Sequence, residues 1–131
     1  RIVHMAGAGY TGNGRIGAGD SADGALRGAT IRVGGEEGNV LTWRFRAPGE
    51  RGVTRLEGIS GPGDSGGPAL IETAQGFCLA GVSSAQRVAI EVDENGEEHG
   101  GEGRYGVVEV YTRVSRFAGW MREVMARPPA G

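Results

Sequence analysis

Cysteine is almost absent: Cys78 is the single one in 131 residues. No disulfide can close within the chain, and no cysteine cluster can hold a metal. Histidine is scarce too, with only His4 and His99, so few side chains could act as a neutral-pH base. No apolar run approaches the roughly 18–20 residues that a membrane-spanning helix needs. No basic-then-apolar leader is present, although the chain opens on Arg1 and a leader could precede it. There is little net charge, −2 at neutral pH, and hence no electrostatic pull toward nucleic acid. Neither nucleic acid nor membrane is an expected partner.

What the chain has in excess is glycine, 27 residues without a collagen period. That composition predicts many turns joining short strands, and the length fits one domain over residues 1–131. Residues 2–6 read as a first strand. The following Gly7-Ala8-Gly9-Tyr10-Thr11-Gly12 satisfies the glycine pattern of dinucleotide-binding turns. Such a turn must open a helix whose N-terminus receives the pyrophosphate. Residues 12–24 are too rich in Gly to be helical and read as a flexible loop, so no nucleotide cofactor is expected.

Ala25 to Val33 reads as a strand that offers Leu26, Ala29, Ile31 and Val33 for burial. Leu41, Trp43, Phe45 and Ala47 alternate with Val40, Thr42, Arg44 and Arg46, the pattern of a half-buried antiparallel strand. Residues 48–62 form a long loop with one possible short strand, Val53 to Leu56. Pro68 to Glu72 and Phe77 to Ala85, joined by Thr73-Ala74-Gln75-Gly76, predict a hairpin, and residues 86–92 could extend its second strand. Cys78, between Phe77 and Leu79, reads as a small buried residue.

The run from Asp93 to Gly103 is acidic and reads as a solvated loop, not a metal site. Tyr105 to Val114 is the last strand. Ser115 is a good N-cap for a helix over 114–126. Phe117, Trp120, Met121, Val124 and Met125 recur there at helical spacing, a stripe expected to pack on the core. About six short strands with no helix between them, then one terminal helix, predict an all-β sandwich or barrel.

The stretch that organises these elements is Gly63-Asp64-Ser65-Gly66-Gly67-Pro68. Three glycines and a proline restrict the backbone and hold one acid and one hydroxyl at its centre. Such a turn can present a nucleophile together with an anion-binding pair of amide N–H groups.

This hexapeptide resembles the nucleophile signature of the trypsin- and chymotrypsin-like serine proteases. Two further segments resemble that family in order and spacing. Gly81-Val82-Ser83-Ser84 matches its strand after the nucleophile hairpin, and Val110-Tyr111-Thr112-Arg113-Val114-Ser115-Arg116-Phe117-Ala118-Gly119-Trp120-Met121 matches its strand-to-helix terminus. The opening strand with Gly-x-Gly is similar to the start of the family's second barrel.

The resemblance implies a six-stranded antiparallel Greek-key β-barrel with a C-terminal α-helix, the second half of such a protease domain. Ser65 would be the nucleophile, and the N–H groups of Gly63 and Ser65 the oxyanion hole. Asp64 would point inward to a buried cation. Ile59 would sit on the floor of the substrate pocket. Ser84 would line the substrate strand and help orient the triad acid, or be an ordinary strand serine. Glu109 would supply the charge of the pocket.

The family's base His and orienting Asp would lie on a first barrel that is missing here. His4 reads as structural, and His99 fits no base pattern. The function implied is a serine endopeptidase acting on a polypeptide substrate, secreted or periplasmic, with no cofactor and no metal, and inactive without that missing half. The alternative is a non-catalytic protease-like binding module. The core face that the missing barrel would cover predicts self-association of this chain alone.

Overall fold

The computed structural model describes residues 1–88 and 90–130. Its strands in chain order are β1 (Ile2–Gly7), β2 (Gly12–Asn13), β3 (Gly17–Ala18), β4 (Arg27–Arg32), β5 (Gly35–Glu37), β6 (Val40–Arg44), β7 (Pro68–Thr73), β8 (Gly76–Arg87), β9 (Ile90–Val92), β10 (Glu98–Gly100) and β11 (Val108–Arg113). A 3₁₀ turn, Val114–Phe117, then leads into helix α1 (Ala118–Ala126).

Seven strands form one antiparallel sheet in the order β4-β1-β7-β8-β11-β6-β5. The fold is therefore mostly β, a curled half-barrel sheet with one C-terminal helix. Two register shifts accompany the curl, between Ala69 and Leu70 on β7 and between Val110 and Tyr111 on β11. An extra residue on one strand bends it and increases its twist. Both shifts fall beside residues of interest, one just after the Gly63–Pro68 turn and one just after Glu109.

The concave face holds the core. Val3, Met5, Ile31, Leu41, Trp43, Ala69 and Tyr111 form one buried cluster. The alternation on β6 explains its part: Leu41 and Trp43 turn inward, and Phe45 continues the series beyond the strand. Trp43 lies against Tyr111 with ring centroids 4.6 Å apart. Burying a side chain of the size of Ile31 or Val3 contributes about 1.5–3 kcal/mol.

The ends of the sheet order, β4 and β5, do not pair with each other among the described residues. Loop residues 54–57 bridge β4 to the chain leaving β6. Thr30 N–H donates to Leu56 O at 2.9 Å, and Thr30 forms a parallel bridge with Glu57. The Glu57 carboxylate accepts from Arg46 N–H at 3.3 Å, Thr54 N–H at 2.8 Å and Thr54 Oγ1 at 2.9 Å. One acidic side chain thus links two segments that no strand ladder joins.

Several expectations are corrected. Residues 12–24 contain the small hairpin of β2 and β3, and residues 93–103 contain β10, which pairs back on β9. Val53–Leu56 is not a strand. Leu26 is 77% exposed, because β4 begins only at Arg27. Cys78 is exposed, since this end of the β7–β8 hairpin projects beyond the core. The helix starts at Ala118, with Phe117 and not Ser115 at its N-cap. Its stripe does not pack on the core: no residue of α1 is buried, and Trp120 and Met125 are 61% and 76% exposed. Helical periodicity in the sequence gives a face but not what covers it.

Candidate functional site

The Gly63–Pro68 turn is fixed by its own backbone. Asp64 N–H donates to Gly61 O at 3.0 Å, and Gly67 N–H donates to Asp64 O at 2.9 Å. Gly66 N–H donates to Ser83 O at 3.0 Å, and Ser83 N–H returns to Gly67 O at 2.9 Å, so the turn is stapled to β8. Gly63 and Gly66 hold φ of +89° and +87°, a region that a residue with a Cβ enters only with strain.

Between these glycines Ser65 is exposed. Among the described residues the Gly63 N–H, the Ser65 N–H and the Ser65 hydroxyl make no hydrogen bond. The two expected oxyanion donors are therefore free, and so is the hydroxyl between them.

Asp64 points the other way. Its Oδ1 accepts from Gly9 N–H and its Oδ2 from Gly61 N–H, each at 2.8 Å. Backbone amides thus bond both oxygens of the carboxylate. This arrangement also explains the Gly-x-Gly of the first strand. A Cβ on Gly7 would stand 2.0 Å from Asp64 Oδ1, and one on Gly9 would stand 2.6 Å from Pro62 O. The glycine pattern that mimics a nucleotide-binding turn makes room for Asp64, and no helix follows it.

A cleft of about 290 Å³ opens beside Ser65. Ser60, Ser83, Ser84, Gln86, Glu102 and Glu109 also line it. The structure thus brings Ser65, Ser84 and Glu109 together around one space. Ile59 is not among the lining residues: it packs against the core and lines two other clefts. The neighbouring Ser60 takes its place, because successive residues of an extended segment face opposite ways.

Glu109 is 1% exposed. Its Oε1 accepts from Ser60 N–H at 2.5 Å and from Ser60 Oγ at 2.6 Å. Its Oε2 is buried with no hydrogen-bond partner among the described residues. Burial pushes its pKa up to about 7, against the pull of the hydrogen bonds from Ser60, and the charge of Asp64 adds to the rise. Ser83 Oγ lies 3.2 Å from Ser60 Oγ, and Gln86 Nε2 donates to Ser60 O at 2.7 Å. Burial also raises the Tyr111 phenol.

Ser60, Ser83 and Gln86 were not singled out from the sequence. Only Ser83 carries a local signal, since alternation along β8 sets buried Ser83 against exposed Ser84.

Neither histidine lines this cleft. His4, on β1, meets Phe77 edge-on at 5.3 Å. His99 Nε2 is 2.8 Å from Asp93 Oδ2 on the β9–β10 hairpin. Asp93, Glu97 and His99 stand close enough to share an ion, but Asp93 already accepts from Asn95 N–H and Glu97 N–H. No known protein family matches the chain, and no curated protein matches it.

Proposed function

We propose that this chain is the nucleophile-bearing part of a serine endopeptidase, built as the six-stranded Greek-key second barrel of a trypsin-like domain. The observation that carries the reading is the turn itself. It exposes Ser65 with its own N–H and that of Gly63 free of partners among the described residues, on a cleft that buried Glu109 also lines. The strand order supports the barrel: β7 returns beside β1, and β11 brings β8 against β6, the kind of non-sequential neighbours that Greek-key connections produce.

In this reading Ser65 Oγ attacks the scissile carbonyl of a polypeptide. The carbonyl oxygen gains a negative charge, which the N–H groups of Gly63 and Ser65 receive; one such donor contributes about 3 kcal/mol to the transition state. Collapse expels the amine and leaves an acyl group on Ser65, which water then removes. Ser65 is a weak nucleophile without a base to take its proton. Because neither histidine lines the cleft, the base and its orienting acid belong to a further segment, expected as the first barrel.

The same fact favours one alternative, a protease-like module that binds without cleaving. A fluorophosphonate probe separates the two. The chain as it stands should label slowly at Ser65. A form extended upstream of Arg1 to include a His and an Asp segment should label at least about 100-fold faster, the scale of general-base assistance. Equal slow labelling of both forms rejects the peptidase in favour of the binding module. Rapid labelling of this chain alone rejects the need for a second segment.

A further inference from the structure

Lysine is absent, so arginine supplies all 14 strongly basic side chains. Six of them form ion pairs among the described residues. Arg1, Arg32 and Arg55 form none, yet all three line one open cleft of about 650 Å³. Ile2 and His4 line it too and alternate with buried Val3 and Met5, so the cleft lies on the face turned away from the core. Arg32 Nε and Arg46 Nε both stand within 4 Å of the point that a Cβ on Gly52 would occupy. Only Glu72 brings a negative charge to the lining. Cations gathered in this way favour an incoming anion. Exposed Ile2 and Leu56 give the same cleft an apolar part.

The complementary chemistry stands on the β9–β10 hairpin and the loop after it. Glu91, Asp93, Glu94, Glu97, Glu98 and Glu102 fall in one run with no arginine among them. Of these, only Asp93 has an ionic partner among the described residues, His99. The register sets Ile90 opposite Gly100 and Val92 opposite Glu98, so Ile90, Val92 and Glu98 share one face. Ile90 and Val92 are 59% and 63% exposed. A two-stranded hairpin by itself is marginal in water, and nothing among the described residues covers this face. No residue of the hairpin lines the arginine cleft.

We propose that the β9–β10 hairpin of one copy of this chain docks in the Arg1–Arg32–Arg55 cleft of another. Ile90 and Val92 cover Ile2 and Leu56, while Glu94 and Glu98 meet the guanidinium groups. Arginine suits this role because its fork can take a carboxylate with two hydrogen bonds. Two different patches meet, so the contact is heterologous and copies add head to tail. The contact uses neither Ser65 nor its cleft, and it holds whether or not the chain is part of a peptidase.

Charge reversal read by sedimentation velocity tests this. Arg32→Glu with Arg55→Glu turns the cleft acidic, and Glu94→Arg with Glu98→Arg turns the hairpin basic. The parent should associate at low salt. Its dissociation constant should rise at least about 10-fold between about 0.05 M and about 0.5 M salt, as the screening length shrinks. Each reversed variant alone should associate at least about 30-fold more weakly than the parent, because like charges then face each other. An equimolar mixture of the two variants should recover the parent's association, since every hairpin again meets a cleft of opposite sign.

A parent that stays monomeric at low salt overturns the proposal. So does a mixture that stays monomeric, or association that either reversal leaves unchanged. Association that survives both reversals and disappears in Trp120→Ser with Met125→Ser belongs to the stripe of α1 and overturns it as well. The four reversed side chains are exposed, so urea midpoints should match the parent's. Should a reversed variant not fold, the milder Arg55→Gln and Glu98→Gln decide together with the parent's salt series. Each should weaken association about threefold, the scale of one exposed ion pair, and unchanged association in both rejects the contact.

Discussion

Asp64 Oδ1 lies 2.8 Å from the amide nitrogen of Gly9, 55 residues earlier in the chain. This bond ties the first strand to the Gly63–Pro68 turn, and it requires the bare backbone of Gly7 and Gly9. Gly7→Ala would place a methyl group 2.0 Å from the Asp64 carboxylate. It should cost about 1–3 kcal/mol by forcing the turn to shift, measured by urea unfolding. Gly119→Ala, which meets nothing within 4 Å on α1, should instead be neutral or stabilising by about 0.5 kcal/mol.

Glu109 sets a pH dependence of stability. Its folded pKa of about 7 lies above its ordinary 4.5, so between those values the folded state binds more protons than the unfolded state. Stability from this group is greatest below about pH 4.5, falls as pH rises to about 7 and then levels off. The full drop is about 3 kcal/mol. Glu109→Gln should flatten that slope in denaturant titrations across the window. Glu37, Glu50 and Asp93 are shifted the other way, by Arg87, Arg44 and His99 respectively. Their stabilising contributions fade only below the ordinary carboxylate range, outside this window.

Glu57 bridges segments that no ladder joins, and its side chain is 6% exposed. Glu57→Ala leaves the Arg46 and Thr54 N–H groups without their acceptor. A loss of about 2–4 kcal/mol is expected, along with faster amide exchange at Thr30, Arg46 and Thr54 than in the parent. A loss below about 0.5 kcal/mol would show that the loop holds its place without this carboxylate.

The apolar stripe of α1 is uncovered, with Trp120 and Met125 outward and Val124 39% exposed. The chain should sediment with a concentration-dependent mass. Trp120→Glu combined with Met125→Glu should shift it toward monomer with little change in unfolding midpoint, because neither side chain is buried. A clean monomer for the parent would show that this stripe is tolerated in water.

Much of the architecture was legible in local pattern. Alternation at Leu41, Trp43 and Phe45 named the inner face of β6, and Thr73-Ala74-Gln75-Gly76 named the β7–β8 hairpin. The turn Gly63–Pro68 was legible because its glycines and proline restrict the backbone wherever they occur. Local pattern failed where the outcome depended on a distant surface. The spacing of Trp120, Val124 and Met125 gave a helical face, but only the three-dimensional arrangement decided that nothing among the described residues covers it. Cys78, flanked by apolar residues, is exposed for a similar reason, because its strand runs past the core.

The sequence by itself determined an all-β chain with one terminal helix and a serine held on a rigid glycine turn, since backbone restriction and side-chain alternation are properties of neighbouring residues. Only the tertiary structure decided the rest of the site. It set Asp64 against Gly9, put Ser60 in place of Ile59 at the cleft and left one Glu109 oxygen buried without a partner. Each of these is a contact between segments far apart in the chain, chosen by which strands lie side by side.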